Sequence, residues 1–374
     1  MPKDYIQFAV PFFLLAIGLE VFASWKKRNG FYRFNDSIND LSMGLIQRVV
    51  DVFLLLPQFL IYVWVQENYG IFRQTPDSPW AWVIGFIGID FVYYWFHRFS
   101  HEVSLIWGSH AGHHQSEEYN LTVALRQGGL QPIFTFPFFL IMAVLGTDPV
   151  IFSISWQINL IYQFWIHTRY IKTLGPLEWI MNSPSHHRVH HGKNPQYIDK
   201  NYAGVFIIWD RLFGTFTPET VEPVYGVVKP LNSWNPVWAN LEVWVGAARL
   251  LKTFPRWQDR LKIWWKGPGW TPAQPHPTIP EVSVGSYQKF DTALSSSTKW
   301  YVLFQFVLVM VFTLMLSGQM LTWSFAQKAV GSVWILFSLA SLGWVMENRG
   351  KLCWFSEGLR MGAAVVVAGV IYLL

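Results

Sequence analysis

The sequence contains a single cysteine, Cys353, so no intrachain disulfide can form, and neither a cysteine-rich zinc framework nor an iron–sulfur cluster can be assembled. Charge is also scarce. Asp, Glu, Lys and Arg make up 14% of the 374 residues and hydrophobic residues 52%, whereas ordinary soluble domains are roughly 25% charged. That balance excludes a water-exposed globule and points to an integral membrane protein. The net charge of +5 comes from scattered positives that suit anionic lipid headgroups, and no nucleic-acid partner is expected. Any bound metal must be held by nitrogen and oxygen. What the chain has in excess is aromatic side chains, with 22 Trp, 15 Tyr and 30 Phe, rings that favour the membrane interface.

Apolar runs of about 20 residues, enough to cross roughly 30 Å of hydrocarbon as a helix, occupy 5–25, 41–65, 80–97, 148–167, 299–316, 322–345 and 353–374. The stretch from Gln131 to Leu145 is shorter and broken by Pro132 and Pro137, but it pairs with the next run across Gly146-Thr147-Asp148-Pro149 as a helical hairpin. An all-α, multi-pass membrane fold of about eight transmembrane helices is therefore expected. Lys26, Lys27, Arg28 and Arg33 follow the first run, whereas 66–79 holds only Arg73, so the first loop is expected in the cytosol. Alternation then places 97–128, 168–298 and 346–352 on that side, with 168–230 as a histidine-rich cytosolic cap. The chain divides into a catalytic unit at 1–230, interfacial amphipathic helices with a Pro-rich linker at 231–297, and a three-helix transmembrane bundle at 298–374. The middle unit mixes Trp238, Trp244, Trp257 and Trp264 with Arg249, Lys252, Arg256, Arg260 and Lys262, the composition of helices lying on a membrane.

Ten of the eleven histidines fall between positions 97 and 191, where an even spread would place about three. They recur in register. His97 and His101 form HxxxH, His110, His113 and His114 form HxxHH, and His187, His190 and His191 form HxxHH again. Residues three and four apart share a helical face, so each box can aim imidazoles at one point. Imidazole suits iron, zinc or copper, and eight or more imidazoles exceed what one ion accepts, so two metals are implied. His167 ends the fifth run and joins the set. His186 is the weakest member, because neighbours in a helix diverge by about 100°. His276, in the Pro-rich linker, reads as a solvated residue.

Polar side chains within a span need a reason to be there. Asp90, two turns before His97, and Asn159 and Gln163, before His167, are candidates to orient the imidazoles, with interhelical hydrogen bonding as the structural alternative. An HExxH protease is disfavoured, since His101-Glu102 is followed by Val103-Ser104-Leu105 with no second histidine in place. Haem ligation pairs histidines within spans rather than as triplets at helix ends. The remaining chemistry is a pair of redox irons that activates O2 against a lipid C–H bond, and a non-catalytic metal or haem carrier is the alternative from another class.

The three boxes, together with Ser183-Pro-Ser-His186-His187-Arg-Val-His190-His191 and Asn201-Tyr-Ala-Gly through Trp209-Asp210-Arg211, resemble the fatty acid hydroxylase and sterol desaturase superfamily over about residues 35–240. Their detail is similar to its ether-lipid-cleaving members. The resemblance implies a di-iron monooxygenase using O2, with tetrahydrobiopterin or another electron donor. Such an enzyme hydroxylates the carbon beside the ether oxygen of an alkylglycerol-type lipid and releases a fatty aldehyde; hydroxylation or desaturation of a sterol or fatty acid is the alternative within the superfamily. Carried over by position, the ligands are His97, His101, His110, His113, His114, His187, His190 and His191, with His167 between boxes. Glu102 matches an acidic residue the ether-cleaving enzymes need and joins Asp90 as a catalytic candidate. Ile171 stands where fatty acid hydroxylases have a further histidine, so His186 or a water completes the set.

Overall fold

The computed structural model describes residues 5–373; Leu374, the end of the seventh apolar run, lies outside them. Among the described residues the chain is helical, with no strand beyond two isolated bridges, Met181 to Phe206 and Gly192 to Tyr225. Helices α1 (Tyr5–Lys27), α2 (Phe34–Tyr69), α3 (Pro79–Glu102) and α4 (Ser104–His114) lead into α5 (Leu121–Ala124), α6 (Gln131–Val144) and α7 (Pro149–Trp165). Two short helices follow, α8 (Pro184–His190) and α9 (Ile208–Leu212), then α10 (Pro236–Leu251) and α11 (Trp257–Trp265), and finally α12 (Ser296–Gly318), α13 (Phe325–Met346) and α14 (Lys351–Leu373).

Five of these, α1, α2, α12, α13 and α14, are long and apolar enough to cross a bilayer. The other three expected spans fall short for local reasons. Asp90 and a Tyr- and Trp-rich turn lower the hydropathy of α3, while the Gly146–Pro149 turn limits α6 and α7 to 14 and 17 residues. Helix α2, by contrast, runs 36 residues, about 54 Å at the usual rise per residue, well beyond the apolar run that marks it. Its extra turns carry buried Asn35, Asp36, Asn39 and Asp40, polar groups that hydropathy cannot register as helix core.

Helices α2, α3, α6 and α7 share a core of Tyr62, Ile89, Val92, Tyr93, Phe139, Met142 and Ala143, with Tyr62 stacked on Phe152 at 4.2 Å. A second core runs from α2 into the C-terminal helices, where Ile38, Leu45, Val49 and Val52 meet Val302, Phe306, Val309, Ile335 and Leu342. Packing is therefore continuous across the boundary read at residue 298. At Gly343 a Cβ would lie 2.6 Å from the Trp234 carbonyl, so α13 can approach the loop before α10 only through glycine.

The turn between α3 and α4 sets up the site. Val103 is extended (φ −121°, ψ 113°), which ends one helix and redirects the next. That kink is clamped from outside, since the Ser104 N–H donates to the Lys266 carbonyl at 2.9 Å and the Trp244 indole donates to the Leu105 carbonyl at 2.9 Å.

Candidate metal centre

Nine buried imidazoles gather into two groups. His97, His101, His110, His114 and His190 form one, and His113, His167, His187 and His191 the other, each group with its ligand atoms within 4.8 Å of one another. Helical periodicity explains the division. In α4 the i, i+4 pair His110 and His114 stays together while His113 turns to the other group. At α8 the pattern is exchanged: His187 and His191 belong to the four-histidine group, and His190 crosses to the five. Each HxxHH box thus serves both groups.

Within each group the Nε2 atoms face one another. His110 Nε2 lies 3.0 Å from that of His97 and 3.1 Å from that of His114; His187 Nε2 lies 3.0 Å from His167 and 3.2 Å from His191, and His113 is 3.4 Å from His167. Nitrogens bound to one metal ion at about 2.1 Å are separated by about 3.0 Å at right angles and about 3.4 Å in a tetrahedron. The spacing fits two ions. Nε2 of His101 and of His190 are buried without any hydrogen-bond partner, as expected of ligand atoms aimed at a metal position.

Five of the nine outer nitrogens are held by acceptors, while Nδ1 of His187 is buried without one. Nδ1 of His97 bonds the Tyr202 carbonyl at 2.7 Å, His113 the Arg126 carbonyl at 2.6 Å, His167 the Gln163 carbonyl at 2.7 Å and His190 the Lys200 carbonyl at 2.9 Å. His110 uses the side-chain oxygen of Gln131 at 2.9 Å. Each bond places the proton on Nδ1 and leaves Nε2 with its lone pair inward. Burial reinforces this by disfavouring the imidazolium, pushing His110 down to about 4 and His190 to about 3. Buried Arg126 locks the end of α4 to α2, reaching Asp40 at 3.1 Å and also binding Asn39 and the Gly112 carbonyl.

The remaining candidates lie elsewhere. Asp90 touches no imidazole; its two oxygens accept from Val205 N–H, Phe206 N–H, the Trp209 indole and the Asn159 amide at 2.7–3.0 Å, so it anchors the 205–209 loop. Asn159 and Gln163 side chains bond each other, and only the main chain of Gln163 reaches His167. His186 stays out of both groups, its ring against Phe216 at 5.4 Å, because its neighbour His187 takes the inward direction. Glu102 is 40% exposed and paired with Arg98 at 2.9 Å, at the rim rather than among the imidazoles. His276 is exposed.

Residues 82–215, which hold every histidine of both groups, match the fatty acid hydroxylase family. Alkylglycerol monooxygenases from Xenopus tropicalis and Homo sapiens are each 39% identical to the chain over 93% of its length, covering 78% and 79% of their own. The Danio rerio enzyme is 40% identical over 94% of the chain and 79% of its own length. The chain belongs to the alkylglycerol monooxygenase family. No solved structure matches it. The likeness to these alkylglycerol monooxygenases extends well beyond the hydroxylase region, through the α10–α11 clamp and into the C-terminal helices that share the α2 core.

Proposed function

We propose that this chain is a membrane di-iron monooxygenase that cleaves alkylglycerol-type ether lipids. The observation that carries this reading is the division of nine neutral imidazoles into two groups spaced for two metal ions, in a chain of this family. His97, His101, His110, His114 and His190 would hold one iron and His113, His167, His187 and His191 the other. Bound there, the irons would supply the activation of O2 that ordinary side chains cannot perform.

The chain's own residues hold and shield that chemistry. The carbonyls of Arg126, Gln163, Lys200 and Tyr202 fix the tautomers, and the Trp107 ring, 5.1 Å from His101 and 5.7 Å from His114, covers the five-histidine group. Tyr119 lies on His167 at 5.6 Å and His191 at 5.3 Å, and its hydroxyl is tied to the Ile166 carbonyl, so its ring covers one side of the four-histidine group. The reaction takes one oxygen atom of O2 into the C–H bond beside the ether oxygen and reduces the other to water with two electrons and two protons. The resulting hemiacetal collapses to a fatty aldehyde and a glycerol derivative. Reduced tetrahydrobiopterin, or another two-electron donor, closes the balance.

The topology belongs to the same proposal. About eight crossings, counting α3, α6 and α7 with the five longer helices, would bring the histidines together at the cytosolic face, a side favoured by Lys26 and Lys27 in the last turn of α1. Residues 1–230 would form the catalytic unit, 231–297 the interfacial one and 298–374 the C-terminal helices. Incubating the purified protein with an alkylglycerol, O2 and a reduced pterin should release fatty aldehyde. A hydroxylated sterol or fatty acid in place of aldehyde would overturn the ether assignment, and a chain that binds metal without turnover would make it a carrier.

A further inference from the structure

One four-residue segment, Asp199 to Tyr202, faces three members of the five-histidine group. The Lys200 carbonyl accepts from His190 Nδ1 and the Tyr202 carbonyl accepts from His97 Nδ1. The third contact differs in kind. Asp199 presents a carboxylate oxygen 3.8 Å from Nδ1 of the neutral His101 ring, beyond hydrogen-bond length, whereas the outer acceptors of His97, His110, His113, His167 and His190 are neutral amide oxygens.

The segment is built to hold this arrangement. Asp199 and Asn201 both adopt the left-handed backbone conformation, at φ 58° and 55°, which L side chains other than Asn and Asp seldom take and which persists where surroundings over-determine it. Those surroundings are present. The Asn201 amide donates to the His186 carbonyl at 3.0 Å and the Thr217 carbonyl at 2.8 Å, its oxygen accepts from Thr217 N–H at 2.8 Å, and Asp210 receives the N–H groups of Tyr202 and Ala203 at 2.8 and 2.9 Å. Next to these anchors, Asp199 turns its half-exposed side chain toward His101.

We propose that Asp199 is a positioning residue for the metal of the five-histidine group, acting through His101. A carboxylate charge beside the outer nitrogen makes an imidazole a more basic ligand than a neutral carbonyl does, so Asp199 sets that metal position apart from the four-histidine one. This rests on the metal-binding reading above. It predicts a site-selective loss, which a purely structural role does not.

The test uses the full-length chain in nanodiscs, loaded anaerobically with Fe(II) and titrated with a competing chelator to resolve two affinities. Asp199→Gly removes the carboxylate while tolerating the positive φ, and Asp199→Asn keeps an oxygen without the charge. The expected result is a fall of about 10- to 100-fold in the affinity of one site for the glycine variant, less for asparagine, with the other site and the thermal midpoint of the metal-free protein unchanged. Two unaltered affinities, or both falling together with the midpoint, would overturn the proposal. Absence of two metals from the unsubstituted chain would instead overturn the di-iron reading itself.

Discussion

Replacing Asp90 by Asn separates an anchoring role from a catalytic one. Oδ1 of Asp90 accepts from Val205 N–H at 2.8 Å and the Asn159 amide at 2.7 Å, and Oδ2 accepts from Phe206 N–H at 3.0 Å and the Trp209 indole at 2.9 Å. The isosteric amide converts one oxygen into a donor, whichever way it is turned, so two buried donors lose their acceptor. Each costs about 1–3 kcal/mol, and the variant should lose about 2–6 kcal/mol of stability. Tyr202 and Lys200, whose carbonyls hold His97 and His190, lie a few residues before the loosened loop, so some metal should be lost as well. Turnover per bound iron should persist, because Asp90 touches no imidazole. Thermal unfolding, iron content and aldehyde release measured on one preparation decide the matter. A variant of unchanged stability and full iron content that no longer turns over would refute the anchoring role.

His190→Ala should abolish turnover and lower the iron content together, whereas His186→Ala and His276→Ala should keep two irons per chain by metal analysis. At Gly128 a Cβ would stand 1.8 Å from the Ser109 carbonyl, directly beneath His110, so Gly128→Ala should displace α4 and destabilise the protein by about 1–3 kcal/mol, read by thermal unfolding alongside iron loss. Chelated protein should lose stability as pH falls. His110 and His190 titrate near 4 and 3 when folded but near 6.5 when unfolded, so the unfolded chain binds more protons from about pH 6.5 downward. Midpoints that stay flat between pH 7 and 5 would contradict the burial of neutral rings.

Periodicity made the histidine boxes legible, because residues four apart on a helix must share a direction. The same rule accounts for the crossing of His113 and His190 between groups, which is visible only once both short helices are placed. What could not be read was the outer layer. The acceptors of His97, His113, His167 and His190 are main-chain carbonyls, and every residue carries one, so no residue type marks them. Asp90 shows a partial reading. Its cost inside a helix required a partner, and the partners are Asn159 on the neighbouring α7, the interhelical alternative, together with the 205–209 loop, distant in sequence, rather than an imidazole. Hydropathy located α12, α13 and α14 to within a few residues, yet missed the first turns of α2, where Asp36 and Asp40 are buried against Ser116, Thr122 and Arg126. The break between α10 and α11 falls at Pro255, and half of their clamp on the α3–α4 turn, the Ser104 N–H to Lys266 carbonyl bond, is a backbone contact that composition cannot encode.

The central claim is that nine imidazoles hold two irons. Mössbauer spectroscopy of protein loaded anaerobically with isotopically enriched iron tests it most directly. Two iron signals per chain in nitrogen-rich environments, with no haem absorption band, are the expected result. A single iron per chain, or a haem spectrum, would contradict the account.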